Sequence, residues 1–148
     1  MKILIDIGHP AHVHLFKNLA WIMEKEGHKI LFTVREKEHT LDLLKKYGFK
    51  FESIGKHFKS TPGKIYGLFK FGYKIYNAAR AFKPDIFLSH GSIYAAQVAW
   101  LFGKPHIALE DTFNFEQINL YKPFTSVILT SDYSHPELGG KNISYSGF

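Results

Sequence analysis

The chain has 148 residues, of which 45% are hydrophobic and 16% aromatic, a composition typical of one globular domain rather than a disordered chain. It contains no cysteine, which excludes disulfides, thiolate zinc sites and a cysteine nucleophile. Together with an amino terminus that turns polar too early for a secretory signal, this predicts a cytoplasmic protein. The formal net charge is +6.

Hydrophobic periods and breaker residues predict an alternation of strands and helices along the whole chain. Strands are expected near residues 2–7, 29–34, 49–53, 85–89, 105–109 and 126–130, and helices near 11–26, 37–47, 63–82, 92–102 and 114–121. Gly27, Gly48 and Gly103 supply turn chemistry that ends three of the helices. Residues 142–148 look like a seventh short strand and the start of a further segment.

This alternation predicts an α/β fold, a single doubly wound, Rossmann-like domain over residues 1–148. We expect a parallel sheet in the order 3-2-1-4-5-6 with helices on both faces. The order reverses between the first and fourth strands, and open α/β sheets bind ligands at that point. The turn Gly8–His12 should therefore lie beside the turn Ser89–Ser92, with the strand-five exit Leu109–Thr112 next in line.

The turn after the first strand reads Gly8-His9-Pro10-Ala11-His12-Val13-His14. Only one glycine precedes the helix and no Walker-type lysine follows, so neither a dinucleotide nor any other cofactor is predicted. The helix amino terminus favours an anion, and Pro10 suits its first turn. The same positive end favours a neutral imidazole at His9, which we expect to be the general base.

The three histidines of this turn are not expected to converge. His12 shares a stripe with Leu15, Phe16, Leu19 and Met23, whereas His14 lies on the other face with Asn18 and Trp21. A metal site built from these histidines is therefore not predicted. Helical periodicity leaves two roles open for His12, a packed core histidine or a ligand contact.

Two further turns carry candidate binding residues. After the fourth strand, Gly91 would let backbone amides approach a ligand and Ser92 would cap the following helix, next to Ser89 and His90. After the fifth strand, at least one of Glu110 and Asp111 should project into the crevice. Asp111, with Thr112, is favoured as the cap of the next helix.

The positive charge is concentrated between Lys56 and Lys83, which hold seven Lys or Arg residues and no Asp or Glu. The helix near 63–82 within this segment is amphipathic and rich in aromatic residues. It is either a sheet-covering helix with a solvated basic side or a contact with an anionic membrane surface. Nucleic-acid binding is not expected, because the common recognition modules are absent.

Several motifs together resemble a known family: residues 6–14, Ser89-His90-Gly91-Ser92, Asp111-Thr112, Asn119-Leu120 with Pro123-Phe124, and Tyr145-Ser146-Gly147-Phe148. They resemble a prokaryotic family of unknown function that is related to glycosyltransferases of the two-Rossmann-domain (GT-B) type. Wider relatives are the non-hydrolysing UDP-N-acetylglucosamine 2-epimerases and the lipid-linked N-acetylglucosaminyltransferase of peptidoglycan synthesis.

The resemblance implies that the chain is the amino-terminal, acceptor-side half of a GT-B-like enzyme. Its partners would be a nucleotide-sugar, a sugar or lipid-linked acceptor, and a second Rossmann domain that this chain lacks. Only Gly8 matches the glycine-rich turn of the transferases, so His9 and His12 carry over as cleft residues and Glu110 as a binding carboxylate. The alternatives are half of a 2-epimerase, or a non-catalytic module that binds a membrane surface or a partner.

Overall fold

The computed structural model describes residues 1–56, 61–132 and 138–146, and for residues 61–65 the backbone alone. Seven strands are present: β1 (Lys2–Ile7), β2 (Lys29–Glu36), β3 (Phe51–Lys56), β4 (Ile86–His90), β5 (His106–Leu109), β6 (Val127–Ser131) and β7 (Asn142–Tyr145). The helices are α1 (Pro10–Lys25), α2 (Thr40–Lys46), α3 (Thr61–Phe82), α4 (Ile93–Leu101) and α5 (Phe115–Tyr121), and a 3₁₀ turn covers Lys122–Phe124.

All strand pairs are parallel, and the sheet order is β3-β2-β1-β4-β5-β6-β7. The predicted order 3-2-1-4-5-6 is confirmed, and the seventh strand lies beside β6. Gly147 and Phe148, the end of the predicted final segment, lie outside the described residues. The sheet reverses its order between β1 and β4, which pair directly with Asp6 opposite Ser89.

The helices cover the two faces of the sheet because strand residues alternate in direction. Ile3, Ile5 and Ile7 of β1 pack with α1 and α2 on one face. Leu4 of β1 and Phe87 of β4 pack with α3 and α4 on the other face. A third cluster joins α4, α5, β5 and β6 around the buried Tyr121. Both faces of a doubly wound sheet are therefore apolar, as the uninterrupted hydrophobic strands predict.

An apolar groove of about 380 Å³ remains open on the α1 side of the sheet. Its walls come from α1 and from the first, fourth, fifth and sixth strands. The lining side chains are Met1, Ile3, Leu15, Phe16, Leu19, Met23, Ile86, Leu88, Ile107, Leu109 and Leu129. Within the described residues, no helix is both long and apolar enough to cross a membrane.

The element boundaries differ from the predicted ones by a few residues. Gly27, Gly48 and Gly103 follow the ends of α1, α2 and α4 with positive φ, which confirms the three predicted helix ends. α2 begins at Thr40 rather than near residue 37, and β3 begins at Phe51 rather than near 49. Phe49 is buried all the same, because it packs against Phe32 at a ring distance of 4.9 Å before the strand starts.

Candidate active site at the carboxyl edge of the sheet

The turns after β1, β4 and β5 meet at the carboxyl edge of the sheet. His12, in the first turn of α1, stacks on His90 at the end of β4, with ring centroids 4.5 Å apart and ring planes at 23°. Asp111, just beyond β5, contacts the same His90. The strand order thus brings together side chains from three turns, as a topological switch point requires.

His9 and His12 organise the turn between β1 and α1. His9 is the N-cap residue of α1, and its Nδ1 accepts a hydrogen bond of 3.2 Å from the Ala11 amide. His12 Nδ1 lies 3.4 Å from the Gly8 amide and accepts from it. A ring nitrogen that accepts carries no proton, so the neutral form of each imidazole holds its proton on Nε2. His14 diverges from them and packs against Tyr47.

His90 and Asp111 form an oriented pair. His90 Nε2 lies 2.7 Å from Asp111 Oδ1, and because a carboxylate only accepts, the imidazole donates. The proton of a neutral His90 is then on Nε2, and Nδ1 is left as an acceptor. The His90 side chain is 13% exposed and Asp111 is 72% exposed. This is the arrangement by which a carboxylate orients an imidazole for proton transfer.

His12 is held neutral between these groups. Burial lowers the pKa of His12 to about 3, and the positive charges that His90, His9 and Arg35 can carry act in the same direction, while Asp111 opposes them. At neutral pH, His12 therefore presents an uncharged ring to His90 and an Nε2–H donor. His12 is partly buried and hydrogen-bonded, which supports the packed role; its contact with a ligand stays a prediction.

Ser89 lies behind this edge in a buried hydrogen-bond chain that the sequence did not reveal. Its Oγ accepts from the Ser92 amide at 2.9 Å and lies 2.8 Å from His106 Nε2. His106 Nδ1 lies 2.9 Å from Thr125 Oγ1, which donates to the Tyr121 carbonyl at 3.0 Å. Only one proton arrangement satisfies every group: Ser89 donates to Nε2, and Nδ1–H donates to Thr125.

The pKa of His106 is lowered to about 3 by burial, so this imidazole is neutral at physiological pH. Ser89 and His106 resemble the nucleophile and base of a hydrolase, but both side chains are fully buried. Their shared role is to fix the β4–α4 turn. Ser92 Oγ accepts from the Ala95 amide at 3.2 Å, which confirms Ser92 as the cap of α4.

Glu110 closes the site from the β5 side, and both of its carboxylate oxygens are already used. Oε1 accepts from the amides of Thr112 and Phe113 and from the Thr112 hydroxyl. Oε2 accepts from the Tyr121 hydroxyl at 2.6 Å. Burial, followed by this hydrogen bond, raises the pKa of Tyr121. Glu110 therefore holds its own turn together, at 5% exposure.

The prediction that Asp111 and Thr112 cap the following helix is wrong. The N-cap of α5 is Asn114, whose side chain accepts from the Gln117 amide. Phe113 adopts a positive φ of 49°, and this delays the start of the helix. Asp111 is released to contact His90, and Thr112 bonds to Glu110 instead.

Gly91 completes the β4–α4 turn at a φ of +57°. A Cβ at this position would lie 3.1 Å from Glu110 Oε2 and 3.2 Å from Tyr121 Cε1, so there is little room for a side chain. Gln117 donates to the Gly91 carbonyl at 2.6 Å. The backbone is therefore held closely on both sides.

The predicted site residues form two layers. Gly8, His9, His12, His90, Asp111 and Thr112 are at least partly exposed, whereas Ser89, Gly91, Ser92 and Glu110 are buried beneath them. The sequence missed Arg35, whose guanidinium occupies the space that a Cβ at Gly8 would need. Its position at the carboxyl end of β2, next to β1, was the available signal. The ligand-binding roles assigned to all these residues remain predictions.

A family model described as "Protein of unknown function (DUF354)" matches residues 1–135. The chain belongs to this family. A relative from Methanocaldococcus jannaschii, named as an uncharacterised protein, is 28% identical over 153 residues. That match covers 99% of this chain and 45% of the relative. The DUF354 chain thus spans about half the length of this curated relative.

Solved structures share the fold at low identity. MurG of Acinetobacter baumannii is similar with a TM-score of 0.73 at 14% identity, over 92% of this chain and 42% of that one. The spinosyn forosaminyltransferase SpnP gives 0.71 at 11% identity, over 99% and 50%. A UDP-GlcNAc 2-epimerase from Neisseria meningitidis gives 0.69 at 17% identity, over 88% and 40%. The DUF354 chain therefore has the fold of one Rossmann-like half of GT-B enzymes.

The buried His106 predicts a loss of stability in acid. The unfolded chain binds a proton near pH 6.5, whereas the folded chain does so near pH 3. Between these values the unfolded state holds the extra proton, so this group makes the free energy of unfolding fall as pH falls, by up to about 1.4 kcal/mol per pH unit. Urea unfolding at intervals from pH 7 to pH 4 measures the slope.

The variant His106→Gln should reduce this slope without abolishing it, because His12, whose pKa is also lowered to about 3, adds a slope of the same sign. His39→Gln is the matched control, because the His39 side chain is 88% exposed, and its slope should equal that of the parent chain. If His106→Gln keeps the parent slope, His106 is not the buried neutral group described above.

Proposed function

We propose that this chain forms the acceptor-side domain of a GT-B-type glycosyltransferase, with the donor nucleotide-sugar held by a second Rossmann domain. The observation that carries the proposal is the oriented His90–Asp111 pair beside His12 and His9 at the switch point. An inverting transfer of a sugar needs a base beside the acceptor hydroxyl, and an imidazole oriented by a carboxylate is suited to that task. Among the structural relatives, one glycosyltransferase is in complex with DTDP, and the Neisseria meningitidis 2-epimerase is bound to UDP-GlcNAc.

His90 is the base that the geometry favours. Its Nε2–H is directed to Asp111, so its acceptor nitrogen is Nδ1. His9 is the base expected from the sequence, but its acceptor nitrogen already accepts a hydrogen bond from the Ala11 amide. His9 as the base stays a prediction that requires this cap to break. Its Nε2–H suits a second role, donation to an oxygen of the acceptor or of a donor phosphate.

The 2-epimerase alternative receives less support from the same contacts. An epimerase would need carboxylates and histidines on both sides of the cleft, and Glu110 would be the expected carboxylate on this side. Both Glu110 oxygens are taken by Thr112, Phe113 and Tyr121. Asp111 is the carboxylate that remains accessible, and its contact with His90 fits a base that needs orienting.

The test uses a polypeptide in which this chain is followed by a second Rossmann domain, assayed for release of UDP or dTDP from their sugars. We expect His90→Asn to lower kcat by about 100-fold or more and Asp111→Asn to lower it by a smaller factor. His9→Asn is the matched variant, because an asparagine oxygen keeps the N-cap; loss of the Nε2–H donor should raise KM, and kcat should fall far less than in His90→Asn.

The reverse result, activity lost in His9→Asn and kept in His90→Asn, would assign the base to His9. No nucleotide release from any of these sugars would contradict the proposed transferase.

A second prediction concerns the proposed arrangement in which this chain holds the acceptor and another domain holds the donor. If the donor is held mainly by another domain, the isolated chain binds nucleotide-sugars weakly or not at all. Titration calorimetry with a panel of UDP-sugars measures this. Tight binding by the chain alone would contradict the half-site arrangement and favour a single-domain nucleotide binder.

A membrane-associated acceptor is supported by α3. Its exposed aromatic side chains Tyr66, Phe69 and Tyr73 have exposures of 60%, 77% and 67%, and their spacing places them on one face of the helix. Lys70 lies 5.8 Å from the Tyr66 ring centre. We propose that this face contacts an anionic, cytoplasmic membrane surface. Within the basic segment Lys56–Lys83, residues 57–60 and the side chain of Lys64 lie outside the described part of the chain.

The prediction is that the chain sediments with anionic lipid vesicles at low ionic strength. Each Lys or Arg near such a surface contributes on the order of 1 kcal/mol, so binding should weaken with salt. Lys64→Glu, Lys70→Glu and Lys74→Glu together should abolish it. The control is Lys25→Glu, Lys45→Glu and Lys46→Glu, with the same change of net charge on other helices. Equal losses of vesicle binding in both triple variants, or no binding by the parent chain, would contradict the membrane contact. α3 would then be a sheet-covering helix with a solvated basic side.

A further inference from the structure

Arg35 is a partly buried arginine at the candidate site that has no anionic partner among the described residues. It lies at the carboxyl end of β2, with its guanidinium packed against Gly8 and its Cζ 5.5 Å from the centre of the Tyr94 ring. The salt bridges within the described ranges all involve histidines. Its Nε is buried and makes no hydrogen bond there. A buried positive group without a partner is costly, and an arriving anion would relieve that cost.

Asp6 is a second buried group near Arg35, and only one of its two carboxylate oxygens has a hydrogen-bond partner among the described residues. Asp6, at the end of β1, is 1% exposed; its Oδ1 accepts from Thr33 at 2.7 Å, while its Oδ2 has no partner in the described structure. Asp6 and Arg35 act on the Tyr94 phenol with opposite signs, so the three groups lie within electrostatic reach. Asp6 is nevertheless not close enough to Arg35 for an ion pair. One carboxylate oxygen of Asp6 and the Arg35 Nε therefore lack hydrogen-bond partners among the described residues.

Arg35 opens onto a groove of about 290 Å³ between the end of β2 and the helices α4 and α5. The groove is lined by Arg35, Ser92, Ile93, Tyr94, Asn114, Glu116, Gln117 and Leu120. The Ser92 hydroxyl caps the Ala95 amide, which leaves the Ile93 and Tyr94 amides available, as in the first turn of any helix. These amides and the guanidinium are the donors that phosphate and carboxylate oxygens prefer.

We propose that this groove is an oxyanion site, in which Arg35 and the first turn of α4 hold a phosphate or carboxylate group of the substrate. The identification of that substrate as the sugar acceptor rests on the proposed function. It makes the acceptor an anionic molecule, placed beside the His90–Asp111 pair. The carboxylates of Glu116, on the rim of the groove, and of the buried Asp6 have the opposite effect: they repel an anion and lower its affinity.

The test is an NMR titration of the ¹⁵N-labelled chain at constant ionic strength, with inorganic phosphate as one probe and sodium glucuronate as the other. We expect saturable shifts of the Ile93 and Tyr94 amides and of the Arg35 Nε–H signal. Arg35→Gln should weaken binding by about tenfold or more. Glu116→Gln should strengthen it by about twofold to threefold. The probe that binds more tightly identifies phosphate or carboxylate as the natural group.

Arg80→Gln is the matched control, because it removes the same charge from an exposed position on α3. Its affinity should equal that of the parent. Arg35→Lys keeps the charge but loses the planar fork, so it should fall between parent and Arg35→Gln, and it serves where the glutamine variant fails to fold. Equal losses in Arg35→Gln and Arg80→Gln, or shifts spread over surface lysines without saturation, would overturn the site.

The outcome is separable from that of the proposed function. Saturable shifts in the groove without sugar transfer by the two-domain polypeptide would contradict the transferase and leave the oxyanion site standing. Sugar transfer that is unaffected by Arg35→Gln, with no chemical-shift changes in the groove, would contradict the oxyanion site and leave the transferase standing.

Discussion

The direct pairing of β1 with β4 is the constraint on which the candidate site depends. These strands are neighbours in the sheet although α1, β2, α2, β3 and α3 lie between them in the chain. Because the chain winds outward in both directions from this pair, no crossover helix covers the carboxyl ends of the two strands. His12 can therefore stack on His90. Arg35 reaches the same place from β2, and Asp111 from β5, one strand further out on each side.

A layer of buried polar side chains lies within the sheet beneath this edge, and His106 joins it from the first residue of β5. Thr33 donates to Asp6 across β2 and β1, and Ser89 bonds to His106 across β4 and β5. Each bond joins neighbouring strands at one register, and a slip by one residue would separate the partners and turn them to the other face. Such pairs add little net stability, but they penalise every alternative alignment. The layer thus helps to hold the turns above it in fixed relative positions.

The sequence was sufficient to predict the strand order and the meeting of the turns, because both depend on periodicity and on general rules of chain winding. The confirmed helix ends at Gly27, Gly48 and Gly103 follow from local backbone chemistry. The roles of Glu110 and Asp111 could not be assigned, because they depend on the positive φ of Phe113 and on Tyr121, whose hydroxyl reaches Glu110 from α5.

His106 was also missed for a physical reason. In the sequence it reads as the first residue of an apolar strand, and its polar partners Ser89 and Thr125 lie 17 and 19 residues away. Arg35 was missed because its contact with Gly8 exists only when β2 lies beside β1. In both residues, a contact between strands determines the role, and local patterns contain no signal for it.

The apolar groove beside α1 has a thermodynamic consequence. Its wall is formed by aliphatic side chains, Met1, Met23 and Phe16, so whatever covers it is held mainly by the removal of hydrocarbon from water. Burial of such surface gives a negative change in heat capacity, and the hydrophobic attraction weakens as the temperature falls. The attachment of any covering group would consequently loosen on cooling, whereas the hydrogen-bonded turns at the carboxyl edge do not share that temperature dependence. On cooling, attachment at the apolar groove would therefore weaken, while the hydrogen bonds of the turns at the carboxyl edge would not weaken in the same way.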